Sequence, residues 1–215
     1  ATAAVTVEFY ATGSTTPAMT ITDNIPAKQM GEYNTRFGSP TNNTYPASAF
    51  EALGNAFMGS VIITSTNGQP LASVIHTFWN RPNENSASTY QAETTGSDVV
   101  FVPYAPKVMN GTAWSKWSKI AIQNLGDQTA TLSFSFYDAA GAEVLAFQHN
   151  IAANSGDAYN TRFGSDSGEI PASQFAALGT NFTGSVRIGS TQPIVAVVNI
   201  IGVPVIGDTY NAFVP

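Results

Sequence analysis

Few side chains in this sequence are equipped for bond-making chemistry. The 215 residues include two histidines, His76 and His149, and no cysteine. Thiolate nucleophiles, thiolate metal sites and disulfides are therefore excluded together. A zinc centre or a nucleophilic triad is built on His and Cys ligands or on a histidine base, and the two histidines here fall at unrelated places in the chain. The expectation is a non-enzyme with no metal and no cofactor. Asp157, Asp166 and Glu169 gather around one loop, residues 164–169, whose oxygens have the hard character that calcium selects. The matching loop earlier in the chain, Ser39-Pro40-Thr41-Asn42-Asn43, has no carboxylate, so a solvated loop is the simpler reading. No carboxylate pair stands out as a glycoside-hydrolysing couple.

Binding chemistry is better represented. Arg36 and Arg162 each sit between Thr and Phe, placed either to clamp a carboxylate bidentately or to tie a loop within its own domain. Trp79, Trp114 and Trp117 with Tyr104 form either a stacking platform for sugars or core and interdomain packing. Asn42, Asn110 and Asn181 head glycosylation sequons, which fit a surface location. Eight basic residues face fourteen acidic ones with no basic cluster, so the footprint needed to neutralise phosphates is missing and nucleic acid is not an expected partner.

What positions these side chains is an internal repeat. Tyr33-Asn34-Thr35-Arg36-Phe37-Gly38-Ser39 recurs letter for letter as Tyr159-Asn160-Thr161-Arg162-Phe163-Gly164-Ser165. The match runs on from Pro46-Ala47-Ser48-Ala49-Phe50 and Gly59-Ser60-Val61 to Pro171-Ala172-Ser173-Gln174-Phe175 and Gly184-Ser185-Val186. Weaker similarity pairs Val5–Tyr10 with Leu132–Tyr137, and Gln69-Pro70 with Gln192-Pro193. A period above ~100 residues is too long for a solenoid unit, so each copy should fold by itself.

Within each copy apolar residues alternate. Val5, Val7 and Phe9 face one way, as do Leu132, Phe134 and Phe136, which is the signature of a half-buried strand. Further strands are expected over 60–65, 71–79, 118–125, 143–151, 185–189 and 194–201. One or two helical turns are expected after Pro46 and after Pro171, each ending at a glycine. The fold class predicted is all-β: two tandem antiparallel sandwich domains of immunoglobulin-like type, over 1–98 and 99–215.

The first copy begins late. Ala1 aligns with Gln128, and nothing before it corresponds to Val99–Tyr104 or to Trp117–Gly126. A sandwich without its opening strands exposes a sheet edge, a template for pairing with another chain. The groove expected to accept a neighbour's strand is lined by Val5, Val7, Phe9, Val61 and Ile63. The end of the chain, Phe213-Val214-Pro215, repeats Phe101-Val102-Pro103, which makes these two segments the candidate donor or junction. Two other readings stay open: the strands were lost, or preceding residues of a longer array complete the domain.

The stretches Ser118-Lys119-Ile120-Ala121-Ile122-Gln123-Asn124-Leu125-Gly126, Phe136-Tyr137-Asp138-Ala139-Ala140-Gly141 and Gln192-Pro193-Ile194-Val195-Ala196-Val197-Val198-Asn199 resemble the immunoglobulin-like repeats of bacterial secreted and surface proteins. The resemblance implies stalks, adhesins or filament subunits rather than catalysis, and copies of the chain itself or surface glycans as partners. Charged residues are 10% of the chain, against ~25% in ordinary soluble domains. With an Ala1-Thr2-Ala3-Ala4 start that suits signal-peptidase cleavage, this points to an extracellular surface protein without membrane insertion.

Overall fold

The computed structural model describes residues 1–39, 45–81, 84–203 and 206–215, with the backbone alone at 79–81, 84–86 and 206. The chain is all-β with antiparallel strand pairing throughout, and it divides into two compact units, Ala1–Ala72 and Ser73–Pro215. Among the described residues no helix is long and apolar enough to cross a membrane.

Unit 1 is a three-stranded sheet of β1 (Ala3–Ala11), β2 (Met19–Ile25) and β3 (Gly59–Ser65) in the order β2-β1-β3. The alternation in β1 does what period two requires: Ala3, Val5, Val7 and Phe9 are buried and Thr6 and Glu8 are not. A 3-10 helix, Ala47–Leu53, lays Phe50 and Leu53 on that face, with the Phe50 ring edge-on to Phe9 at 5.9 Å. Gly54 ends this helix at φ 67°, a conformation in which only glycine is unstrained.

Unit 2 holds β4 (Val74–Arg81), β5 (Glu84–Gln91), β6 (Ser97–Asn110), β7 (Ala113–Asn124), β8 (Ala130–Tyr137), β9 (Glu143–Ile151), β10 (Gly156–Asn160), β11 (Gly164–Ser165), β12 (Asn181–Gly202) and β13 (Ile206–Asn211). The sequence motifs have local work here. Asn124 is buried, donates to the carbonyls of Gln128, Ile151 and Ala152 and accepts from Gly126 N–H, fixing the turn after β7. Asp138 accepts from the Ala140 and Ala142 N–H groups to close the β8–β9 hairpin, a side-chain turn of the kind aspartate favours.

The 22-residue β12 organises the unit. Its first half lies between β8 and β6, and its second half between β7 and β13. A register shift between Gly189 and Ile194 separates the halves, and Pro193 stands there, at the kind of irregularity where a strand tolerates proline. A strand that changes neighbours at a bulge is how sheets turn corners. One buried cluster draws from both halves, with Phe134, Phe136, Tyr159, Phe175, Val186, Ile188, Ile194 and Val198 in it. The run 194–201, apolar on both faces, is a central strand between β7 and β13.

Sequence repeat and compact unit do not coincide. The repeat-based boundary falls at 98, whereas the units meet at 72. Residues 73–98 include the hairpin β4–β5, which is bonded to β13 through Ser88 to Thr209 at 2.7 Å and Asn211 Nδ2 to the Gln91 carbonyl at 2.9 Å. The hairpin keeps its repeat register nonetheless: Ile75 lies opposite Tyr90 as Val198 lies opposite Tyr210.

Candidate functional site

In unit 1, β3 is an edge strand, and its core-facing residues are not covered. Val7 is opposite Ile63 and Phe9 opposite Val61, and directly opposed residues point to the same face. Val7 and Phe9 are closed off by Phe50, Leu53 and Ile21, and Val5 is buried as well. Val61 and Ile63, on that same face, are 46% and 36% exposed. Of the five groove residues expected from the sequence, then, three belong to the unit's own interior and two form an open rim.

The second repeat shows what covers this position when strands are present. Val186 and Ile188 align with Val61 and Ile63, and they are 1% and 0% exposed. They lie opposite Phe136 and Phe134 on one side, as Val61 and Ile63 lie opposite Phe9 and Val7. On the other side β6 places Val102 opposite Val186 and Val100 opposite Ile188. Both valines are fully buried.

The identical heptapeptides diverge in the same way. In unit 2, Tyr159 and Asn160 pair with Ile120 and Lys119 of β7. Thr161, wholly buried, bonds the Ser118 and Pro106 carbonyls through its hydroxyl at 3.2 and 3.3 Å. The Arg162 guanidinium lies 4.6 Å from the Trp117 ring, 5.4 Å from Trp114 and 4.4 Å from Phe163, within reach of cation–π attraction to all three. In unit 1 Thr35, Arg36 and Phe37 are exposed, and Arg36 stacks on Phe37 at 5.0 Å. What the two turns share is internal: Asn34 and Asn160 each accept from the next two N–H groups but one, closing the same bend.

The other sequence candidates are dispersed. Trp114 and Trp117 are engaged with Arg162, Trp117 being buried, while Tyr104 faces Lys116 at 5.7 Å; the side chain of Trp79 lies outside the described residues. His76 bonds Thr89 at 2.9 Å within its hairpin. The three clustered carboxylates have separate partners: Asp157 takes Ser167, Asp166 takes Lys119 at 2.7 Å, and Glu169 takes His149. Val102 is in the core, Pro103 occupies the β6 bulge opposite β12, and Phe101 exchanges both backbone bonds with Phe213. Phe213 and Val214 are 61% and 59% exposed, and Pro215 is exposed too. Asn110 and Asn181 are exposed; Asn42 lies outside the described residues.

One contact set was not legible in the sequence. His149 links Tyr159 Oη at 2.7 Å to Glu169 at 2.6 Å. In the tautomer whose Nε2–H donates to the Glu169 carboxylate, Nδ1 accepts a hydrogen bond from the Tyr159 hydroxyl. The chain of bonds ends on a phenol inside the core, which is an anchoring arrangement; unit 1 uses the aligned pair Tyr33 and Asp23, bonded at 2.9 Å.

Burial pushes the Tyr159 phenol well above its ordinary range, with the nearby Asp157 and Glu169 charges adding to it. Burial likewise raises Tyr210 to about 12. Both native values exceed the unfolded value of ~10. The stability they contribute is full below pH ~10 and is lost as pH climbs toward the native values. In an alkaline titration the last phenolate absorbance should therefore appear together with loss of the near-UV dichroism of unit 2. Ionisation of all tyrosines with the fold intact would contradict this burial.

No protein-family model matches the chain, and no curated protein is significantly similar to it. Among solved structures the chain is similar to Thermotoga maritima 1070, at 16% identity and a TM-score of 0.41, over 56% of this chain and 96% of that one. It is also similar to the Anabaena sensory rhodopsin transducer, at 16% identity and a TM-score of 0.38, over 50% and 91%.

Proposed function

We propose that this protein is a structural subunit of an extracellular filament or surface appendage. Its two repeats are of the immunoglobulin-like sandwich type, and it assembles head-to-tail by β-strand complementation at the edge of the first repeat. The observation that carries this reading is the contrast at one repeat position: Val61 is 46% exposed where Val186 is 1% exposed beneath β6. An apolar, uncharged strand edge is a liability that proteins ordinarily blunt with charge or proline. The edge strand here, Gly-Ser-Val-Ile-Ile-Thr-Ser, has neither, and an unblunted edge suits a surface that is covered in use. A head-to-tail contact of this kind propagates into an open polymer when its rotation does not close. The low charge and the Thr- and Ser-rich surface support an extracellular setting.

Electron microscopy of native, unheated material sheared from cells tests the reading. Filaments with a regular axial repeat are the expected result, and uniform single particles at all concentrations would sink it.

A further inference from the structure

The two repeats form an internal experiment, since the same residues are seen with and without β6 and β7. We infer that the open face of unit 1 seats a β-hairpin of the β6–β7 kind, one that is not already engaged in a sandwich of its own. This rests on the reading that unit 1 is completed from outside its own residues, and it specifies the chemistry of what completes it.

Three separate contacts in unit 2 converge on the hairpin. The β6 strand covers Val186 and Ile188 with Val102 and Val100. The β7 strand pairs with Tyr159 and Asn160 and takes the Thr161 hydroxyl bonds at Ser118. Trp117 stacks on Arg162 at 4.6 Å. Every counterpart of these acceptor residues is kept in unit 1, as Val61, Ile63, Tyr33, Asn34, Thr35 and Arg36.

Local structure accounts for only part of that identity. Asn34 closes the turn, Tyr33 bonds Asp23, and Gly38 at φ 84° admits no side chain, because a Cβ would run into the Tyr45 carbonyl. Thr35 and Arg36 do nothing comparable for the turn; in unit 2 their partners belong to the hairpin. The row of backbone groups along β3 calls for a strand rather than a helix. The occupant therefore needs alternate β-branched residues against Val61 and Ile63, and a second strand with a small hydroxyl residue opposite Thr35 and an indole over Arg36.

An identical neighbour cannot supply its folded hairpin without loss. Moving β6–β7 out of one unit 2 would uncover Val186, Ile188 and Thr161 there to cover their equivalents elsewhere, with no net burial. Only a hairpin that is otherwise unengaged makes the contact favourable.

The test adds a synthetic peptide of residues 97–124 of this sequence to the full chain. Expected is a one-to-one complex in which amides of β3 exchange slower by about tenfold or more. Val61→Lys in the chain should remove this, as should a peptide with lysine at both Val100 and Val102. As a second measurement, residues 97–127 fused directly ahead of Ala1 place the hairpin before β1 as β6–β7 precede β8. The fusion should melt higher than the chain, and Val61→Lys, mild in the chain, should be strongly destabilising in the fusion. A peptide that does not bind, or a fusion with unchanged melting and unchanged exchange in β3, overturns the inference. Filaments formed by the chain and indifferent to the peptide would overturn it too while leaving the assembly reading intact. Peptide binding by a chain that never forms filaments would keep the hairpin seat and remove the filament.

Discussion

Val186→Lys should cost unit 2 on the order of 4–5 kcal/mol or unfold it, whereas Val61→Lys should change the stability of the isolated chain by no more than about 0.5 kcal/mol. The two positions are the same position of the repeat. At 186 the ammonium would be locked between Phe136 on β8 and Val102 on β6, at 1% exposure, with no carboxylate to pair it and no route to water. At 61 the side chain stands on the rim of β3, already 46% exposed, where a lysine extends its charge into solvent and keeps its stem on the sheet. Urea unfolding followed by near-UV dichroism separates the cases. Equal destabilisation by both substitutions would mean that β3 is covered in the free chain, and the assembly edge would have to be sought elsewhere.

Phe134→Ala should remove about 3–5 kcal/mol, the range for deleting a buried aromatic ring. Phe134 is fully buried, stacks on Phe147 at 4.6 Å and leans on Tyr159 at 4.6 Å. Its loss frees space beside the ring that carries the His149 bond. The substitution should therefore also loosen Tyr159, visible as slow amides of β10 becoming fast before the rest of unit 2 does. The repeat equivalent, Val7→Ala in unit 1, should cost less, about 1–3 kcal/mol, because a valine leaves a smaller void. If the two costs were equal, the size of the void left behind would not be what sets the cost.

Much of this architecture could be read from the letters, and the reasons are specific. β9 spans the expected 143–151, β3 covers the expected 60–65, and β8 falls where alternation put it, because period two is directly visible when one face is buried. Gln192-Pro193 reads as a break between strands, yet β12 continues through it; a bulge accommodates the proline, and no single-residue rule tells a bulge from an end. At the equivalent Gln69-Pro70 the strands do separate, β3 ending at Ser65 and β4 starting at Val74. The hairpin β4–β5 sits with unit 2 through bonds to β13 such as Ser88 to Thr209, more than a hundred residues apart in sequence. Pairings at that distance carry no local signature. The open rim was legible as a pair of missing strands, but its extent was not: Val5, Val7 and Phe9 look as available as Val61 until Val7 and Phe9 are seen packed against the 3-10 helix and Val5 is seen buried. The Tyr159–His149–Glu169 chain was invisible for the same reason, since its members come from β10, from β9, which is not paired with β10, and from a loop.

The dependence of β6 and β7 on β12 also sets an order of events. Their partners on β12 begin 57 residues beyond the end of β7, counting from Asn124 to Asn181. At synthesis rates of about 5–20 residues per second, the finished hairpin waits roughly 3–11 s before the strand it needs has been made. During that interval Val100, Val102, Ile120 and Ile122 have no cover of their own. Long-range pairing of this kind makes for slow refolding and for a window of vulnerability to association. A newly made chain passes through a stage at which it offers, in one molecule, both an unclaimed hairpin and an unclaimed edge, so quality control at birth rather than final stability is where such a protein is most exposed.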